Sequence, residues 1–232
     1  MLERKGFPYK RVDLMPVVAK GVLRAARFPR ATVPAATLDG RRVQGTRQIA
    51  DALDELRPEP PLFPSEPEAR RAVEAAERWG DETLQSVARR LSWWALRRDG
   101  DALGSFSEGA RLGVPIGLAV KTAPPIVWAA ARLNRASDEA VRADLAALPG
   151  LLDRADSLID EGVLDGADLN VADFQIATSL RLLTCFDVLR PGLESRPAGR
   201  LAMRVAPSFP GRIRSVFPAT WMPAELLASR AA

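Results

Sequence analysis

The sequence predicts a small α/β domain followed by a larger all-α domain. Three observations carry this. Residues 1–57 hold short β-like runs, with Asp39-Gly40 between two of them as a hairpin signal. The stretch RPEPPLFPSEP at 57–67 contains five prolines and reads as a linker. Beyond it, apolar residues recur at helical spacing almost to the end. The expected units are therefore 1–57, a linker at 58–67, and 68–232.

Within the first unit, Tyr9–Leu14, Thr32–Leu38 and Arg41–Gln44 are expected strands, with Tyr9 packed inward. Ile49, Ala50, Leu53 and Leu56 follow a helical period over 46–56. In the second unit, 68–98 forms one long helical pattern carrying Trp79, Trp93 and Trp94, which suit a core or an interface. A second helix is expected over 138–161, a central buried helix over 171–189 and a shorter one over 196–205. The tail PSFPGRIRSVFPATWMP is punctuated by proline and is expected to wrap the surface. LGVPIGLAVKTAPPIVWAAARL at 112–133 is strongly apolar, but Lys121 and Pro124-Pro125 divide it. Neither half reaches the ~20 apolar residues of a membrane span. It reads as two buried helical segments, with membrane association the least favoured reading.

Composition excludes several chemistries. With 47% hydrophobic and 27% charged residues the chain is globular rather than disordered. It has no histidine, which removes Ser-His-Asp and Cys-His catalysis and every His-ligated metal site. Cys185 is the single cysteine, so there is no internal disulfide and no thiolate cluster. It lies among Leu182, Leu183 and Phe186 and reads as a buried, inert thiol in a reducing, cytoplasmic protein. The N-terminus MLERKGFPYKRVDL lacks the apolar stretch of a signal peptide. The net charge of +4 is spread in both signs without a basic block, so no nucleic-acid partner is expected.

Three groups of residues are candidates for specific roles. Val33-Pro34 opens the first hairpin strand. Taken alone, such a proline fits a sheet edge, since cis bonds are only ~5% of X–Pro bonds. A cis bond would instead turn the Val33 backbone toward an extended ligand. Gly45-Thr46 stands before the helical pattern, where Thr46 can cap. The free N–H groups there, with the Thr46 hydroxyl and the charge of Arg47, could equally hold a carboxylate. Asn170 and Asp173 have the spacing of a reciprocal capping box before the most apolar helix, a structural role.

These residues together resemble the glutathione S-transferase superfamily, of the bacterial cytosolic type. VPAATLDGRRVQGTRQI is similar to that family's V-P-x-L … D-G … E-S-x-A-I segment, the proline linker with LFP falls where its two domains join, and NVADFQIA matches the start of its core helix. The resemblance implies an α/β thioredoxin-like N-terminal domain, here incomplete, and an all-α C-terminal helical bundle. It implies a cis Pro34, a Val33 backbone paired with the cysteinyl part of glutathione, and a γ-glutamyl carboxylate held at Thr46. Gly45 stands where the family has Glu, so that side-chain contact is lost. The implied cosubstrate is glutathione or another small thiol. The implied partners are a hydrophobic electrophile, lodged near Trp93, Trp94 and Phe106, and a second copy packing its first domain on helix 68–98.

The resemblance also implies a missing part. MLERKGFPYKRVDL resembles the end of the family's first helix followed by its second strand, so the first strand and the catalytic Ser, Tyr or Cys after it have no counterpart. No catalytic residue is assigned. Either Met1 is internal to a longer protein that conjugates a thiol to small electrophiles, or the chain is a non-catalytic binding or scaffold relative.

Overall fold

The computed structural model describes residues 1–14, 16–109, 115–214 and 216–228. After helix α1 (Pro16–Ala25), the chain forms an antiparallel hairpin of β1 (Ala35–Leu38) and β2 (Arg41–Gln44), with Ala35 opposite Gln44 and Leu38 opposite Arg41. Asp39 and Gly40 at the turn have φ of 45° and 82°. Both central residues are thus left-handed, as a two-residue hairpin turn requires and as Asp-Gly favours. Helix α2 (Thr46–Leu56) follows and buries Ile49, Ala50, Ala52 and Leu53. Leu56, expected on the same face, is 41% exposed.

Two sequence expectations fail here. Tyr9–Leu14 forms no strand: a strand exists only through a partner for its backbone N–H and C=O groups, and none of the described residues supplies one. Tyr9 is accordingly 48% exposed, its hydroxyl donating to Glu3 Oε1 at 2.6 Å rather than packing inward. The first hairpin strand also starts at Ala35 rather than Thr32, after the cis Val33–Pro34 bond.

The linker is tied down. Asp54 of α2 accepts hydrogen bonds from the backbone N–H groups of Leu62 and Phe63, both buried. The same carboxylate pairs at 2.5 Å with Lys5, whose side chain is fully buried and also donates to the carbonyls of Arg57 and Pro58. One Asp therefore joins the N-terminus, α2 and the linker.

The expected long helix is α3 (Pro67–Trp79) and α4 (Gln85–Leu96), joined by a π-helical turn at Gly80–Leu84. A Cβ on Gly80 would sit 2.7 Å from Ile176, so glycine permits the close approach of the core helix. That core helix, α9 (Val171–Leu183), is buried around most of its circumference and packs against α2, α3, α4 and α11 (Pro197–Val205). Its start is closed internally, because a buried helix N-terminus has no water for its free N–H groups. Asn170 Oδ1 accepts from Ala172 and Asp173, while Asp173, itself fully buried, accepts from Asn170 and Asp165 at 2.8 Å each.

Three shorter helices, α5 (Ala102–Phe106), α6 (Ile116–Lys121) and α7 (Pro124–Leu133), lead to α8 (Asp138–Asp160), capped by Ser137. Residues 112–114 of the apolar stretch lie outside the described residues. The remainder forms two helices as expected, but α6 buries none of its residues and α7 only Val127 and Ala131. After α9 come α10 (Arg190–Glu194) and α11, and the described residues end in α12 (Ala224–Ala228). The tail between α11 and α12 enters the core instead of only crossing the surface. Phe217 stacks 5.3 Å from both Trp94 and Phe186. The Trp94 indole N–H donates to Asp138, and Arg98 lies 3.7 Å above the ring.

Candidate functional site

The site is built outward from the end of β2. Gln44 is buried, and its carboxamide accepts from the Arg30 N–H at 2.7 Å and donates to the carbonyls of Arg30 and Thr32 at 2.7 and 2.9 Å. The Arg30 guanidinium returns a bond to the Gln44 carbonyl at 2.9 Å. This exchange fixes the segment that enters the cis Val33–Pro34 bond. Pro34 in turn accepts from the Gly45 N–H at 3.0 Å. The Val33 side chain is exposed, and its backbone N–H and C=O have no partner among the described residues.

Gly45, not Thr46, is the cap residue of α2, with φ 95° and ψ 149° and no side-chain cap. That backbone region suits only glycine, and a Cβ there would lie 2.3 Å from Gln48 Oε1. Thr46 is therefore already the first helical residue. Its hydroxyl has no partner among the described residues, and neither do the N–H groups of Thr46, Arg47 and Gln48. A helix start with this many free donors attracts an anion.

Arg47 does not add free charge. It turns away to pair with Glu77 of α3 at 2.8 Å and to donate to the Glu74 carbonyl at 2.7 Å. Burial pushes the Glu77 carboxyl above its usual range, against the pull of Arg47. This pair joins α2 to α3, and between them lies a cleft of about 390 Å³. Thr32, Val33, Pro34, Gly45, Thr46 and Gln48 form one wall; Arg78, Asp81, Gln85 and Arg89 form the other. Asp81 accepts from Gln175 at 3.4 Å, whereas Arg78 and Arg89 have no hydrogen bond or ion pair among the described residues.

The four candidate thiol-binding residues of the sequence, Val33, Pro34, Gly45 and Thr46, thus meet in one cleft. The aromatic lining expected for an acceptor does not. Trp94 is 1% exposed inside its ring stack, Trp93 and Phe106 are half-buried, and none of the three lines the cleft. Sequence reasoning missed the opposite wall, although positions 78, 81, 85 and 89 recur at helical spacing as a polar stripe. Cys185 is buried outside the cleft, and burial pushes its thiol pKa up. Among the described residues, no Ser, Tyr or Cys lines the cleft and no cluster could hold a metal ion.

Comparison with known proteins agrees with the sequence resemblance. Residues 1–61 match the family model described as the N-terminal domain of glutathione S-transferase. The crystal structure of a glutathione S-transferase from Rhodospirillum rubrum F11 superposes with a TM-score of 0.54 at 19% identity, covering 98% of this chain and 90% of that one. No curated protein matches. At that identity the likeness is one of fold. The small hairpin unit with its helices, followed by a mostly helical remainder, is the thioredoxin-like plus helical arrangement. The family match is thus confined to the N-terminal residues 1–61, and over the rest of the chain the likeness is one of fold.

Proposed function

We propose that the cleft binds glutathione, or a small thiol of the same acidic peptide type, and that the fold serves conjugation of that thiol to small electrophiles. One observation carries this reading. The free N–H groups and hydroxyl at the start of α2 stand beside the unpaired backbone of Val33 and face two uncommitted arginines. An extended peptide with carboxylates at its ends is complementary to that arrangement. One carboxylate lies on the helix N-terminus, the peptide backbone pairs with Val33, and the remaining negative charge meets Arg78 and Arg89. A free thiol at the middle of such a ligand would be the nucleophile, and its reactivity depends on the thiolate form.

A second reading is favoured by a lining that holds no Ser, Tyr or Cys among the described residues: a relative that binds the thiol without activating it. Titration calorimetry with glutathione, followed by conjugation of a generic aromatic halide, separates the two. Binding that weakens in Thr46→Ala supports the site. Binding with turnover supports the transferase reading, and binding without turnover supports the second. Absence of binding by wild type would sink both. We further propose a cytoplasmic homodimer, for which light scattering should give twice the chain mass.

A further inference from the structure

Helices α6 and α7 present an apolar surface that nothing among the described residues covers. Helix α6 carries Ile116, Leu118, Ala119 and Val120, yet none is buried, and Leu118 is 54% exposed. At 100° per residue, α7 turns Val127 and Ala131 inward and Pro125, Trp128, Ala129, Arg132 and Leu133 outward. Trp128 is 56% exposed and Leu133 80%. A polar outer face is the rule for a helix packed on a globular core, so this face calls for a partner.

The charge around it selects the partner. From 109 to 137 the sequence has no Asp or Glu, and it has Lys121, Arg132 and Arg135 among the described cations. None of these three forms an ion pair among the described residues, and Arg132 lies 5.9 Å from the Trp128 ring. The geometry points to an anionic lipid surface as the occupant, with α6 and α7 lying in the membrane interface. The apolar residues enter the headgroup boundary, Trp128 sits at the level its amphipathic ring prefers, and the cations meet lipid phosphates. No helix among the described residues is long and apolar enough to cross a membrane, so the contact is peripheral. A second copy fits less well, because a two-fold contact would set Lys121, Arg132 and Arg135 against their own equivalents.

The test is co-sedimentation of the full chain with vesicles of phosphatidylcholine alone and of phosphatidylcholine mixed with phosphatidylglycerol. Binding is expected only to the mixed vesicles and should fall as salt rises. Arg132→Glu with Arg135→Glu should weaken it by at least tenfold, each lost cation alone being worth about fivefold. Trp128→Ser with Leu133→Ser should abolish it while leaving the circular dichroism spectrum unchanged, since both side chains are exposed. Two results would overturn the inference: equal or absent binding to the two vesicle types, or a lipid-free dimer that these serines convert to monomer, which would make a second copy the occupant.

Discussion

Asp173 gives the sharpest test of how the core helix is held. Its carboxylate is fully buried and accepts the N–H groups of Asp165 and Asn170, both at 2.8 Å. Asp173→Asn keeps the shape but turns one acceptor into an amide donor, leaving one N–H without a partner. That costs about 1–2 kcal/mol; Asp173→Ala frees both and costs about 2–4 kcal/mol. For a chain of this length the Asn variant should melt about 2–8 °C lower. The pH dependence supplies an independent check. Burial pushes the Asp173 pKa up and outweighs its two backbone hydrogen bonds, which pull it down. A raised folded-state pKa means stability that is fully present below the unfolded carboxylate value and lost as pH rises through the folded one. Asparagine does not titrate, so its deficit relative to wild type should be largest near pH 4 and shrink toward neutrality. Urea unfolding of both proteins at several pH values measures this. A deficit that grows with pH would refute the argument, because the hydrogen bonds would then outweigh desolvation.

Two further outcomes follow from the cleft. Arg47→Ala leaves the Glu77 carboxylate buried without its cation and should cost about 1–3 kcal/mol. Since this raises the Glu77 pKa further, the loss should be greater at pH 8 than at pH 5; a loss independent of pH in urea titrations would count against it. Gly45→Ala forces a side chain into a backbone region reserved for glycine, at about 1–3 kcal/mol, with Gln48 displaced. Thermal unfolding and glutathione titration should both register it, and a variant as stable as wild type would mean the turn relaxes freely.

What was legible in the sequence was what is decided locally. Asp39-Gly40 specifies its turn through the conformations of two residues, and Asn170 with Asp173, three residues apart, closes the start of α9. Pro34 could be placed at a strand start, but its residue type alone left the edge and cis readings open. Tyr9–Leu14 was misread because strand propensity describes a side-chain pattern, whereas a strand is a pairing. The helices of 116–133 were legible, but their burial was not. An apolar run looks the same whether it faces the core or a partner outside the chain. Arg47 failed for a similar reason: its charge was visible in the sequence, but the acid across the cleft that captures it was not.

That capture makes the cleft a joint product of two parts of the chain. The wall carrying Val33, Pro34, Gly45 and Thr46 depends on the hairpin and on the buried Gln44 carboxamide. The wall carrying Arg78 and Arg89 depends on α3 and α4, which stand on α9. Arg47 with Glu77 and Glu74 is the polar tie between them at the cleft itself. If the ligand spans both walls, removing Thr46's hydroxyl should weaken binding with little effect on unfolding, because that hydroxyl bonds to nothing else among the described residues. Removing Arg47 should reduce stability and affinity together, because it releases one wall from the other. Equal affinity in Arg47→Ala and wild type, with stability reduced, would show that the ligand rests on the hairpin wall alone and that Arg78 and Arg89 take no part.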